Sequence, residues 1–224
     1  MRLPRKIILL LALLLPWPIR RLFYIYFFDY KIPRSCRVGF SYLDATEFAI
    51  GSGSKIGHFN VIRGLQILRM GEFTSIGNLN WITGLPLSNK VNFTHNTNRL
   101  PALMIGNHSS ITNRHLIDCT HTVEIGEFST FAGFRSQILT HSIDLIDNIQ
   151  NSKPVIIGNY SFVGTGCIIL PGSGLPSYSL LAAGSVLTKA HLDPGYLYGG
   201  IPAGKIRGMP MDSKYFQRTT GKVQ

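Results

Sequence analysis

An aliphatic residue followed by glycine keeps returning along this chain: Ile50-Gly51, Ile56-Gly57, Ile76-Gly77, Ile105-Gly106, Ile125-Gly126, Ile157-Gly158 and Val163-Gly164. From residue 157 the run reads as hexads, IGNYSF, VGTGCI, ILPGSG, LPSYSL and LAAGSV, each opening on an apolar residue. A six-residue period fits neither an amphipathic helix, whose apolar face returns every 3.6 residues, nor a hairpin sheet with strictly alternating faces. It predicts a solenoid of stacked coils, each apolar position pointing into a narrow core. Ser161, Cys167, Ser173, Ser179 and Ser185 hold the fifth hexad position, where small residues let coils lie close. Three hexads make a triangular coil of about eighteen residues, paired backbone to backbone with the next as parallel strands.

The earlier coils are longer, since Ile50 to Met70 and Ile105 to Ile125 are each twenty residues apart. The extra residues belong at corners. Larger departures fall at residues 85–100 and 142–154, where polar and Pro-rich sequence breaks the rhythm. Insertions at solenoid corners are where binding loops lie.

Lys and Arg outnumber Asp and Glu by 22 to 11, so an anionic partner is expected. The N-terminus points to a membrane surface. Ile7 to Leu15 is unbroken apolar sequence behind Arg2, Arg5 and Lys6, followed by Pro16-Trp17-Pro18, Arg20-Arg21 and the aromatic run from Leu22 to Tyr30. As a helix the apolar stretch spans about 14 Å, roughly half a bilayer core, too short to cross. No small-residue cleavage pattern follows, so an interfacial segment over residues 1–30 is expected, with Trp17 and the Phe/Tyr cluster at headgroup depth and arginines on phosphates. A helix capping the solenoid is the other reading, and the two are compatible. Cys36, Cys119 and Cys167 have no metal-ligand spacing and read as reduced, buried cysteines. The basic charge lies largely at the two ends and no basic-aromatic motif runs through the solenoid, which argues against nucleic acid.

From Pro154 onward, Ile157-Gly158-Asn159, Phe162, Ala183 to Ser185, Thr188-Lys189 and the terminus at Gly200 to Ala203 resemble the hexapeptide-repeat acetyltransferases, in the branch of galactoside, maltose and polysaccharide O-acetyltransferases. Residues 104–208 carry the resemblance. It implies an all-β, left-handed parallel β-helix, a homotrimer, acetyl-CoA as co-substrate and no metal. It further implies a histidine before an extended loop as general base, which is His141 here. Asp144, three residues beyond it, is expected to orient the imidazole or to contact the acceptor. Mapped by motif, Thr165, Ala183, Gly184, Thr188, Lys189, Lys205 and Arg207 are expected along the coenzyme. The family's basic residue directly after Pro-Ala is replaced by Gly204, with Lys205 displaced by one. Asn78, Asn80, Trp81 and Arg135 are expected to line the acceptor cleft, Trp81 stacking on a sugar face.

The expected domains are a membrane-associating segment over 1–34, the acyltransferase solenoid over 35–208 and a tail over 209–224 that forms a short helix capping the last coil. The expected function is acetyl transfer from acetyl-CoA to a hydroxyl of a cell-envelope polysaccharide or its lipid-linked precursor, at the cytoplasmic face of the plasma membrane. N-acetylation of a nucleotide-linked amino sugar and O-acetylation of a soluble sugar are alternatives. A γ-type carbonic anhydrase needs three histidines around zinc, which the spacing of His115, His121 and His141 does not offer. A non-catalytic solenoid would not bind acetyl-CoA.

Overall fold

The computed structural model describes residues 4–89, 91–93 and 95–223; Arg2, among the basic residues expected at the membrane, lies outside them. The chain forms a parallel three-sided solenoid. Its first face stacks Arg37–Val38, Lys55–Ile56, Ser75–Ile76, Ser110–Ile111, Thr130–Phe131, Phe162–Val163, Leu180–Leu181 and Tyr196–Gly200. On the second face Trp81–Thr83, Leu116–Asp118, Gln137–Ile138, Ile168–Ile169 and Val186–Leu187 follow one another, and on the third Ala102–Ile105, Val123–Ile125, Val155–Ile157 and Gly174–Leu175. In the first coils the long strands Tyr42–Ile50 and Val61–Met70 bend to supply both the second and third faces.

Register places like on like. Val38, Ile56, Ile76, Ile111, Phe131, Val163, Leu181 and Tyr198 form one inward column, and Leu43, Ile62, Ile82, Ile117, Ile138, Ile169 and Leu187 another, all buried. Burying one such side chain contributes about 1.5–3 kcal/mol. The fifth hexad position has a second role besides small size. Its side chain accepts a hydrogen bond from the backbone N–H of the next coil, as Ser109 Oγ does from Ser129 and Ser129 Oγ from Ser161, both at 2.9 Å. These bonds satisfy corner amides that no strand partner reaches.

The N-terminal residues close the open end of the solenoid as α1 (Arg5–Ala12) and α2 (Trp17–Phe28). Leu9, Ala12 and Tyr24 join the core. Trp17 and Arg20, expected at a membrane interface, turn inward instead. The indole donates to the Cys36 carbonyl at 3.1 Å, and the buried guanidinium of Arg20 donates to the Val38 and Gly39 carbonyls at 2.7 and 3.0 Å. The carbonyls exposed at the end of a solenoid need donors, and these two residues supply them. The opposite faces of both helices stay apolar and exposed: Ile7, Leu10 and Leu11 on one, with Leu14 in the turn just beyond it, and Ile19, Leu22, Tyr26 and Phe27 on the other. No helix among the described residues is long and apolar enough to cross a membrane.

The tail departs from its expected helix. After the antiparallel closing strand Ala203–Gly208, residues 209–223 run in turns along the corner between the third and first faces. There Phe73, His108, Phe128, Tyr160 and Tyr178 stack ring on ring at 4.7–5.2 Å. Phe216 packs edge-on against Tyr178, the Tyr215 hydroxyl donates to the Ser161 carbonyl and Arg218 donates to the Phe128 carbonyl. An aromatic ladder beside the chain outcompetes the local bonds of a short helix, which is marginal alone.

Candidate active site

Both insertions leave the solenoid at the same corner, between the second and third faces, two coils apart. Between them, Leu116–Asp118 ends the second face with a carboxylate. Asp118 is buried and fully engaged. It accepts from Thr120 N and Oγ1 at 3.0 and 2.6 Å, from Thr140 N and Oγ1 at 2.8 and 2.9 Å, and from His141 Nδ1 at 2.7 Å. Burial alone would raise its pKa, but the hydrogen bonds from His141, Thr120 and Thr140 outweigh burial and hold it at about 2.

His141 opens the antiparallel hairpin His141–Asp144 with Ile149–Ser152 that forms the second insertion. The Asp118 carboxylate fixes its tautomer: Nδ1–H donates, leaving the Nε2 lone pair free. The same bond raises the His141 pKa above its ordinary value, against the lowering effect of partial burial. Phe93, from the first insertion, stands edge-on to the imidazole at 6.0 Å. Arg99 anchors that insertion, its guanidinium buried on the Leu85, Pro86 and Thr120 carbonyls. His121, in the preceding coil, accepts the Thr122 N–H at Nδ1, and burial and then Arg99 lower its pKa, so it stays neutral. An ordered imidazole held by a buried aspartate, with Nε2 left free when deprotonated, is equipped to take a proton from a bound hydroxyl.

Asp144 does not orient His141. Three residues apart on one strand, the two side chains leave on opposite faces, and Asp144 Oδ1 accepts from Ile146 N and Asp147 N in its own turn. Asn80 is likewise not placed for an acceptor. It is buried in a ladder, donating to Asn60 Oδ1 and the Thr112 carbonyl and accepting from His115 N. His115 spends both ring nitrogens, on Thr112 Oγ1 and Ser136 N, and burial pushes its pKa down to about 4. No group of three metal-ligating side chains occurs among the described residues.

Asn78 and Arg135 are exposed at the corner between the first and second faces, away from His141 within one chain, and Trp81 is half-exposed on the second face. That first corner also carries Thr165, Ala183 and Gly184. Thr165 Oγ1 donates to the Phe134 carbonyl and Gly184 N to the Thr165 carbonyl, and a side chain added at Gly184 would meet nothing within 4 Å. Thr188 and Lys189 are exposed at the far end of the second face in the last coil. Lys205 and Arg207 lie on the closing strand, where Lys205 pairs with Asp193 and covers the Tyr196 ring at 4.5 Å.

Asp118, Arg99 and Phe93 escape the sequence reading. Asp118 had a signal: a lone carboxylate ends the otherwise apolar strand LID, one coil before the strand that leads to His141.

No family model and no curated protein matches this chain. Solved structures do. A polysialic acid O-acetyltransferase is 18% identical over 83% of this chain and 90% of that one, with a TM-score of 0.58. A hexapeptide transferase family protein from Anaplasma phagocytophilum is 19% identical over 84% and 82%, with a TM-score of 0.48. A hexapeptide-repeat acetyltransferase from Vibrio cholerae O1 biovar eltor, complexed with acetyl coenzyme A, is 26% identical over 48% of this chain, with a TM-score of 0.45; the match spans 61% of its length. The first of these likenesses shows the fold, a left-handed parallel β-helix.

Proposed function

We propose that this chain is an acetyl-CoA-dependent O-acetyltransferase with His141 as general base and Asp118 as the residue that positions it. The observation that carries the reading is the His141–Asp118 pair, built at the one corner of the solenoid where both insertions converge. An alcohol is a poor nucleophile at neutral pH, so its proton must leave as it attacks. In this mechanism Nε2 of His141 takes the acceptor hydroxyl proton while the oxygen bonds to the thioester carbonyl carbon. The tetrahedral intermediate then collapses, the C–S bond breaks, and the thiolate recovers the proton from the imidazolium. Asp118 stabilises that imidazolium and keeps Nε2 aimed outward.

The coenzyme arm is assigned to the edge formed by Thr165, Ala183 and Gly184, with Thr188, Lys189 and Arg207 toward its phosphates. Within one chain this edge and His141 occupy different corners of the triangle. A homotrimer, in which the edge of one copy meets the insertion corner of the next, joins them. Acetyl-CoA is then expected to raise the melting temperature of the wild-type protein, and Lys189→Ala combined with Arg207→Ala to weaken coenzyme binding by about tenfold or more at low salt. Calorimetric titration measures this; an unchanged affinity in the double variant removes these residues from the coenzyme site, and no binding by the wild type removes the transferase reading.

The acceptor is assigned to a cell-envelope glycan or its lipid-linked precursor at the cytoplasmic surface of the plasma membrane. The exposed apolar faces of α1 and α2, with Lys6 exposed beside them, support shallow insertion among anionic headgroups. Vesicles containing anionic phospholipid are expected to carry the wild-type protein upward in flotation, and Leu14→Glu with Phe27→Glu to leave it at the bottom. Equal flotation of that variant contradicts the assignment.

A further inference from the structure

The first insertion, 85–100, and the hairpin at His141 face each other across a cleft of about 300 Å³. Its walls are joined: His95 Nε2 pairs with Asn151 Oδ1 at 2.9 Å, and Asn96 Nδ2 donates to the Ser152 carbonyl and Oγ at 3.0 and 2.8 Å. Asn92, Asn148 and Gln150 line the cleft, and their side-chain amides make no hydrogen bond to another described residue. Val91 and Ile143 add exposed apolar surface. The described lining includes no carboxylate, lysine or arginine, and Arg99 nearby is spent on backbone carbonyls.

We propose that this cleft is the acceptor-recognition subsite and takes an uncharged hexose ring. The proposal rests on the O-acetyltransferase reading and names the part of the acceptor that this chain recognises. An amide presents a donor and an acceptor side by side, as do vicinal sugar hydroxyls, so three amides with no partner among the described residues suit a polyhydroxy ring. The apolar C–H face of the ring meets Val91 and Ile143. Phe93 lines the cleft and also touches the His141 imidazole, so a ring seated there brings a hydroxyl toward Nε2. A sugar carboxylate would be desolvated without a described cation to meet it.

The test is ligand-observed saturation-transfer NMR on the full chain, with methyl β-D-glucopyranoside, methyl β-D-galactopyranoside and the methyl glycoside of N-acetylneuraminic acid as probes. At least one neutral glycoside is expected to bind the wild type more tightly than the acidic one does. Asn148→Ala with Gln150→Ala is expected to weaken that binding by about tenfold or more, the scale of losing hydrogen bonds to two amides. The melting temperature reports folding, and both residues sit on the accessible hairpin. Equal binding by the double variant, tighter binding of the acidic glycoside, or no neutral binding overturns the proposal. The assay involves no acyl transfer, so its failure is distinct from a failure to bind acetyl-CoA.

Discussion

Alanine at position 141 is expected to lower kcat/KM for acetyl transfer by about 10²–10⁴-fold, the contribution of a positioned general base. The loss should fall on kcat, because the imidazole acts in the transition state and makes little of the binding surface. The pH dependence carries a second signature. The Asp118 hydrogen bond raises the His141 pKa above 6.5, and only the deprotonated ring accepts a proton. The wild-type rate is therefore expected to rise with pH through an inflection above 6.5 and then level off. Asp118→Asn removes the charge that raises this pKa, so its inflection should move to lower pH. It should also lose rate on the plateau, because an asparagine no longer dictates the tautomer. An inflection that stays in place in this variant means that the titration belongs to another group.

Asp118 also gives the largest expected effect on stability. Its carboxylate receives five hydrogen bonds in a buried corner. Asp118→Ala leaves the Thr120 and Thr140 amides without a partner, a cost of about 3 kcal/mol or more, read as a lower denaturation midpoint. Acid should do the same by degrees. The folded-state pKa falls from 3.8 to about 2, so the contribution is present above pH 4 and is lost as pH falls through 2. Its size is about 2 kcal/mol. Wild type should thus lose stability between pH 4 and 2 more steeply than Asp118→Asn. Parallel acid profiles would show that the carboxylate is not held by these bonds.

The hexads fix much of this architecture because each position has one environment in every coil. A register error would turn an isoleucine outward, so Ile117, Ile138 and Ile169 keep their spacing and the solenoid is legible from them. The insertions are legible for the converse reason: they break the spacing. Asp118 is not, because its partnership depends on the register between coils. Leu116 pairs with Gln137, twenty-one residues on, and His141 reaches back only because the hairpin starts just past the strand end. A count of twenty residues from His141 leads to His121, and proximity along the chain leads to Asp144. Trp17 and Arg20 show the limit of composition. An aromatic and basic helix reads as interfacial, yet these two residues face the unpaired carbonyls at the solenoid's end, and the side of a helix a residue occupies is decided by what the core leaves unsatisfied. Asn80 is misread in the same way, since a buried polar side chain in a ladder running from coil to coil serves the neighbouring coil before it serves a ligand.

Acetate transfer from acetyl-CoA to a cell-envelope glycan extract, followed by mass spectrometry of the glycan and by release of free thiol, tests the transferase activity and its base together. A glycan heavier by one acetyl group is expected, formed with one thiol released per transfer, with loss of both in His141→Ala that still binds acetyl-CoA. Undiminished transfer by that variant, or a wild-type protein that binds acetyl-CoA and acetylates no hydroxyl, contradicts the proposed mechanism.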